Sequence, residues 1–267
     1  MKATASRNRT FQKQFLVLFG MGWLGVVAMT PTIAAAIAHQ IAQFPDRPHP
    51  PLAVLTALGL IQPTMLLAIS VISGIFFSAQ LGLCSHWVER FTKGMPFREA
   101  IKAEWKLAVG LGVLTGIALL LLDFALRPLI PQSLILQKAM PRTVLFTLSA
   151  ILYGGITEEL LMRWGLMSML AWIGWRLVQR GNRQPRPAVI WAAIVGSSVL
   201  FGLGHLPIVA ATIPLTPFVI AGILLLNSVA GIVFGWLYWQ RSLEAAMIAH
   251  ATFHIFVSFV TWLGLAG

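Results

Sequence analysis

Seven long apolar segments constrain the fold of this chain more than any other feature of its sequence. A helix needs about 20 mainly apolar residues to cross a bilayer. Runs near this length cover residues 15–38, 52–83, 107–122, 144–173, 188–212, 218–239 and 243–265. Because lipid offers the backbone no hydrogen-bond partners, membrane-spanning segments of this kind must be helical. The sequence therefore predicts an all-α, polytopic membrane helix bundle with about seven transmembrane helices.

The composition excludes a soluble globular domain. Hydrophobic residues make up 58% of the 267 residues and charged residues 10%, whereas a soluble domain carries about 25% charged residues. The single cysteine, Cys84, excludes an internal disulfide, and we also expect no cysteine-based metal site. We expect Cys84 to be a small apolar residue of a helix.

Basic residues are distributed unevenly between the two sides of the bundle. The chain has 19 Lys and Arg against 8 Asp and Glu, a net charge of +11. Fourteen of the 19 precede the first helix or lie in the second, fourth and sixth loops; Arg47, Arg127, Lys138 and Arg142 lie on the opposite side, and Arg163 within a span. Cytoplasmic loops carry the excess of Lys and Arg. We therefore expect an integral protein of a bacterial plasma membrane, with the N-terminus cytoplasmic and the C-terminus outside.

Anionic lipid accounts for most of this charge, and no motif indicates nucleic-acid binding. The N-terminus has a second interpretation. Basic residues from Lys2 to Lys13, an apolar stretch from Phe15 and then Ala36-Ile37-Ala38 also resemble a cleavable signal peptide. We expect the first helix to be retained, and cleavage would leave the other six helices and their orientation unchanged.

Some polar residues in or near the spans have a structural explanation. Asp123 and Arg127 lie at a helix end, and His86 lies beside Trp87 at another, so we expect these residues at the membrane interface. In the sixth helix, Asn227-Ser228 is expected to hydrogen-bond to another helix.

The fourth helix carries two adjacent carboxylates. An ionisable group costs at least about 2.5 kcal/mol near the centre of a bilayer and usually faces a partner or a cavity. Helical spacing places Glu159 and Arg163 on one face, where they can pair, while Glu158 points about 100° away. A structural ion pair therefore explains Glu159 and Arg163 but leaves Glu158 unexplained.

Three histidines lie on two other apolar helices. His205 follows two glycines of the fifth helix, and His250 and His254 lie about one turn apart on one face of the seventh. These histidines and Glu158 are most simply explained by one convergent polar site.

Two chemistries suit such a site. In the first, Glu158 is a general base that activates water for attack on a carbonyl, and histidines donate hydrogen bonds to the developing oxyanion. In the second, His250 and His254, with His205 or a glutamate, bind a catalytic metal such as zinc. Both predict hydrolysis by an activated water.

Three motifs in this order resemble the signature of the CPBP family. They are Glu158-Glu159-x-x-x-Arg163, Phe201-x-x-x-His205 and a late-helix His250. The family includes type II CAAX prenyl endopeptidases, bacteriocin-processing and immunity proteins, and lysostaphin resistance protein A. The resemblance covers about residue 144 to the C-terminus. It divides the bundle into residues 1–143, with three helices and their loops, and residues 144–267, a CPBP-like catalytic core.

The resemblance implies a role for each matching residue. Glu158 and His205 would activate water, His250 would stabilise the oxyanion, and Glu159 and Arg163 would support the site. No cofactor is required on this glutamate mechanism.

One position departs from the family pattern. The family often has asparagine four residues after the histidine matched by His250, and this chain has His254. A neutral imidazole can still donate one N–H, but the change makes a zinc-binding version more credible here. The metal ligands would then come from His205, His250, His254 and Glu158.

We therefore expect an intramembrane endopeptidase that meets a membrane protein or peptide in the lipid bilayer, with CAAX-type prenylated proteins as one candidate class. Two other functions stay open: a non-catalytic immunity or interaction protein, and a proton-coupled transporter, for which the chain lacks repeated halves. The enzyme requires Glu158 and His205 at similar depth. That in turn requires the fourth helix to continue to about residue 173 and the fifth to about residue 212.

Overall fold

The computed structural model describes residues 2–44, 46–129, 143–211 and 213–265, and is helical throughout these ranges apart from turns and connections. The helices are α1 (Lys2–Ala28), α2 (Thr30–Ala42), α3 (Leu52–Gly59), α4 (Ile61–Leu81), α5 (His86–Lys93), α6 (Phe97–Leu126), α7 (Val144–Gln179), α8 (Pro187–Ala210), α9 (Pro217–Gln240) and α10 (Leu243–Trp262). A short 3-10 turn, Arg127–Leu129, follows α6.

Within the described ranges, seven segments are long and apolar enough to cross a membrane: Asn8–Ala28, Leu52–Leu81, Phe97–Leu126, Val144–Gln179, Pro187–Ala210, Pro217–Gln240 and Leu243–Trp262. This count confirms the all-α polytopic bundle. The protein is an integral membrane protein. Lys138 and Arg142, which the charge analysis placed on the outer side, lie outside the described residues.

The first span is shorter than expected. It ends at Ala28, and a turn at Met29 separates it from α2, whereas the sequence predicted one helix to residue 38. Pro31 is the cause, because it has no N–H to donate to the Val27 carbonyl. The Thr30 hydroxyl donates to that carbonyl instead, at 2.6 Å.

A second proline interrupts the second span. Pro63 cannot donate to the carbonyl of Gly59, and the helix breaks at Leu60, whose N–H bonds to the Ala57 carbonyl at 3.2 Å. The start of the third span also differs from expectation. The third span begins at Phe97, ten residues earlier than predicted, and the separate helix α5 precedes it.

Helix α7 forms the centre of the bundle. Leu160, Trp164 and Met167 are completely buried, and the indole N–H of Trp164 donates to the Val71 carbonyl on α4 at 3.3 Å. Gly74 allows this close packing, because a Cβ there would collide with the indole ring. Helices from both sides of residue 143 pack on α7, and the division of the chain at that residue stays a prediction.

Helix α1 is part of this core. Leu18 and Val26 are buried, and the Thr157 hydroxyl on α7 donates to the Gly22 carbonyl at 2.7 Å. Ser149 makes a similar bond to the Ala28 carbonyl at 2.7 Å. The two helices are therefore joined by side-chain hydrogen bonds as well as by apolar contacts.

Candidate intramembrane active site

The two adjacent carboxylates lie where α7 departs from regular α-helix. Tyr153–Glu158 and Leu160–Met167 are π-helical, and Glu159 lies between these two stretches. π-Helical turns are rare and frequently mark functional sites. At Gly154, a Cβ would collide with the ring of His254 on α10. The missing side chain therefore allows the α10 histidines to approach the α7 backbone.

Glu159 and Arg163 form a buried ion pair, as their spacing predicted. Arg163 Nε lies 3.2 Å from Glu159 Oε2, and the two side chains are 2% and 0% exposed. The guanidinium also donates to the Gly231 carbonyl on α9, from Nη2 at 3.2 Å. The rings of Phe201 and Phe234 lie 5.4 and 5.6 Å from its Cζ, within the range of cation–π attraction. Three helices thus surround this one cation.

His250 extends the ion pair onto α10. Its Nδ1 lies 2.7 Å from Glu159 Oε1. A carboxylate paired with arginine is ionised and can only accept, so Nδ1 carries the hydrogen of this bond. The ring stacks on Phe234 with centroids 4.6 Å apart. Glu159 therefore fixes both the orientation of His250 and the nitrogen that donates to it.

Glu158 faces the other nitrogen of the same ring. Its Oε2 lies 3.9 Å from His250 Nε2, which is too long for a direct hydrogen bond. Its side chain is 16% exposed, against 0% for Glu159. Within the described residues Glu158 accepts no hydrogen bond and has no cationic partner besides His250. The two neighbouring carboxylates thus occupy different environments.

His205 lies near this group without touching Glu158. Its Nδ1 lies 2.8 Å from the Phe201 carbonyl. A carbonyl only accepts, so Nδ1 donates and Nε2 keeps its lone pair in the neutral ring. The Phe201 ring lies 4.6 Å from the ring of His205 and 6.4 Å from that of His250. Phe201 therefore links the two imidazoles.

In the described part of the chain, no hydrogen bond or ion pair joins His205 to Glu158. The two side chains therefore do not contact each other directly, although both lie beside the group formed by His250 and Phe201. The helices have the required extents: α7 runs to Gln179 and α8 to Ala210. Residue 212, where α8 was expected to end, lies outside the described residues.

His254 completes the cluster. Its ring stacks on that of His250, with centroids 4.9 Å apart and an interplanar angle of 21°. It also approaches Gly154 on α7. The structure thus brings His254 into the group that contains Glu158, Glu159 and His250.

These donors do not fit a three-ligand metal site as they stand. Such a site needs three protein donor atoms around one ion. In the described ranges, no three His, Cys, Asp or Glu donor atoms of this cluster lie within 4.8 Å of one another. His250 Nδ1 is already bound to Glu159. The arrangement suits proton transfer by a carboxylate and imidazoles.

Helix α9 contributes residues that the sequence analysis did not single out. Gly231 supplies the carbonyl that binds Arg163, and Phe234 stacks on His250. The sequence signal for this contact was Gly231, since a glycine on an apolar helix indicates that another helix approaches closely.

The two polar residues of α9 form different hydrogen bonds. Ser228 bonds to the Ser198 carbonyl of α8 at 3.5 Å, as expected, but Asn227 bonds to the Ile223 carbonyl of its own helix at 2.8 Å.

The sequence matches one family model. Residues 140–256 match the family described as type II CAAX prenyl endopeptidase Rce1-like. The matched segment contains every candidate residue of this site. No curated protein and no solved structure matches the chain.

Proposed function

We propose that this chain, whose residues 140–256 match the Rce1-like family of type II CAAX prenyl endopeptidases, hydrolyses a peptide bond of a membrane-associated protein or peptide by a glutamate-based mechanism. The observation that carries this proposal is the contrast between the two adjacent carboxylates. Arg163 and His250 neutralise Glu159, whereas Glu158 has no hydrogen-bond donor in the described structure.

Glu158 is the proposed general base. It takes a proton from a water molecule as the water oxygen attacks the scissile carbonyl, and it returns this proton to the leaving amine when the C–N bond breaks. His205 is the proposed second contact of the water, because its Nδ1 is held by Phe201 and its Nε2 keeps a lone pair. A peptide enters next to Glu158, where the 3.9 Å separation leaves the carboxylate and His250 unbonded.

His250 is the proposed oxyanion donor. Because Nδ1 donates to Glu159, the ring must also carry a proton on Nε2 to donate to the oxygen of the tetrahedral intermediate. His254, stacked on His250, is the proposed second donor to the same oxygen. Glu159 and Arg163 are positioning residues, since they act on the substrate only through His250.

The substrate is proposed from the location of the site. The cluster lies among apolar spans, so the scissile bond must reach it from the bilayer, near a lipid-anchored or membrane-inserted end of the substrate. A CAAX-type prenylated peptide is the first candidate class. We also propose a bacterial plasma membrane with a cytoplasmic N-terminus, because basic residues concentrate in the loops on that side.

The test is cleavage of a membrane-anchored peptide by the purified protein in liposomes, with products identified by mass spectrometry. Prenylated and unprenylated versions of one peptide separate CAAX processing from general membrane proteolysis. Glu158→Gln should lower kcat/KM by at least about 100-fold, the usual contribution of a general base. Glu99→Gln, an exposed glutamate outside the cluster, is the matched control and should have no effect.

One result would contradict the proposal: wild-type protein that cleaves neither peptide, together with a Glu158→Gln variant that keeps the cellular phenotype. That pair of results would favour the immunity or interaction protein. Proton flux that depends on Glu158 without cleavage would favour the transporter.

A further inference from the structure

A second polar cluster lies where the chain passes from α4 to α5. The sequence alone predicted Cys84 as a helix residue without a metal site and His86 as an interfacial residue, but Cys84 lies in the connection between the two helices, next to two other donor side chains. Its Sγ lies 3.7 Å from His86 Nδ1. Glu89 Oε2 lies 4.0 Å from the same nitrogen. One donor atom from each of these three residues lies within 4.8 Å of the other two.

These distances resemble those between the ligands of a tetrahedral metal ion. Zinc binds cysteine sulfur at about 2.3 Å and histidine nitrogen at about 2.0–2.1 Å, which places two such ligands about 3.6 Å apart. The separation between Cys84 and His86 is 3.7 Å. A carboxylate oxygen would lie about 3.4 Å from the nitrogen, so Glu89 must move by roughly 0.6 Å. Glu89 is 26% exposed and its partner Lys93 is 64% exposed, so a shift of this size costs little.

The histidine is already in the tautomer that a metal requires. Glu104 on α6 accepts from the Ser242 hydroxyl at 2.6 Å and lies 3.1 Å from His86 Nε2. A carboxylate in this position accepts, so Nε2 donates and the lone pair of the neutral ring is on Nδ1, facing Cys84. A carboxylate bound to the outer nitrogen is the usual support of a histidine ligand to zinc.

A buried carboxylate holds the backbone of this segment in place. Glu244 on α10 accepts from the Ser85 hydroxyl at 2.7 Å and from the backbone N–H groups of His86 and Trp87 at 2.9 and 3.1 Å. It is 4% exposed. The chain between Cys84 and Glu89 is therefore fixed before any ion binds, which lowers the entropic cost of binding.

The surroundings favour a cation and give it access. A divalent cation would offset the negative charges of Glu89 and of a coordinating thiolate. A cavity of about 260 Å³ lies beside His86 and Glu89 and also contacts Glu99. It gives an ion and a water ligand a route from the surface.

We propose that Cys84, His86 and Glu89 bind zinc, with Glu104 supporting His86 and water as the fourth ligand. Sulfur and nitrogen donors select zinc over magnesium and calcium, which prefer oxygen. On binding, the thiol releases its proton to solvent. The ion would stabilise the segment that Glu244 binds at the start of α10. Glu244 lies six residues before His250, about 9 Å along the helix axis.

Cobalt spectroscopy tests this site without interference from the intramembrane histidines. The chain has one cysteine, so a thiolate-to-cobalt charge-transfer band can come only from Cys84. The purified full-length protein, stripped with a chelator, is titrated with Co²⁺, and the bound cobalt is then displaced with Zn²⁺. We expect the band at one equivalent in wild type and in Glu158→Gln, and its loss in Cys84→Ser.

Two glutamate variants provide a matched comparison. Glu89→Gln removes a ligand at a partly exposed position and should weaken Co²⁺ binding at least tenfold, whereas Glu99→Gln, in the same cavity, should bind as wild type does. Glu104→Gln should keep the band with affinity 10–100-fold weaker. Absence of the band in folded wild type, or equal affinity in Glu89→Gln and wild type, would overturn the proposal. Neither result depends on peptidase activity.

Discussion

Replacing Arg163 by methionine tests whether the buried ion pair supports the site as described. Methionine replaces the apolar stem of the arginine side chain but removes its guanidinium charge and its bond to the Gly231 carbonyl. Glu159 would then keep only its bond from His250, in a position that is 0% exposed. An unpaired carboxylate in such a place is costly, because neither water nor another cation can reach it.

The expected cost follows from these contacts. Removing one partner of a buried pair costs about 3–5 kcal/mol, most of which is the penalty of the charge left behind. A double variant, Glu159→Gln with Arg163→Met, leaves no charge, and its amide oxygen can still accept from His250. We expect that variant within about 1–2 kcal/mol of wild type, because neutral replacement of a whole buried pair is often tolerated. The coupling between the two sites is then at least about 2 kcal/mol.

The assay is denaturant unfolding of the detergent-solubilised protein, followed by circular dichroism, for wild type, both single variants and the double variant. Asp123 and Arg127, an ion pair at 3.4 Å with side chains 26% and 33% exposed, provide the control cycle, and its coupling should stay below about 1 kcal/mol. If Arg163→Met costs less than 1 kcal/mol, or if the two single costs simply add, the pair is not the buried support described above.

Two further predictions concern glycines. Gly154→Ala should lower peptidase activity at least tenfold, because the new Cβ displaces the His254 ring, and the cleavage assay above measures it. Gly74→Ala should lower the free energy of unfolding by about 1–3 kcal/mol, since its Cβ would enter the Trp164 indole. Gly204→Ala is the control for both, with no atom within 4 Å of the added Cβ; an equal effect there would contradict the steric argument.

The number of spans could be predicted from sequence because lipid imposes a length and a composition on every crossing helix. The ends of the helices were harder to predict, because a single proline can interrupt a helix. Pro31 and Pro63 each remove one backbone donor within a continuous apolar run, and hydropathy does not register this loss. The two π-helical stretches of α7 are also invisible in composition; the first packs against α1 and α10, and the second mainly against α4.

The candidate site likewise has features that the sequence predicted and features that depend on helix packing. The pair formed by Glu159 and Arg163 follows from helical spacing and was predicted. The bond between Glu159 and His250 joins residues 91 positions apart, so it depends on how α7 and α10 pack. Spacing therefore identified which groups are polar within the membrane, and packing decided which of them bind to each other.

The placement of the acidic residues supports Glu158 as the reactive group. Five of the eight acidic residues lie in the two clusters: Glu89, Glu104, Glu158, Glu159 and Glu244. Four of these five accept hydrogen bonds: Glu89 from Lys93, Glu104 from Ser242 and His86, Glu159 from His250, and Glu244 from Ser85 and two backbone N–H groups. Glu159 also forms an ion pair with Arg163. Glu158 accepts no hydrogen bond in the described part of the chain, at a position that is 16% exposed. A carboxylate without donors is costly in an apolar bundle unless a water or a substrate group occupies its open side. The other four carboxylates each accept at least one hydrogen bond, and Glu158 is the one that the proposed mechanism uses as the general base.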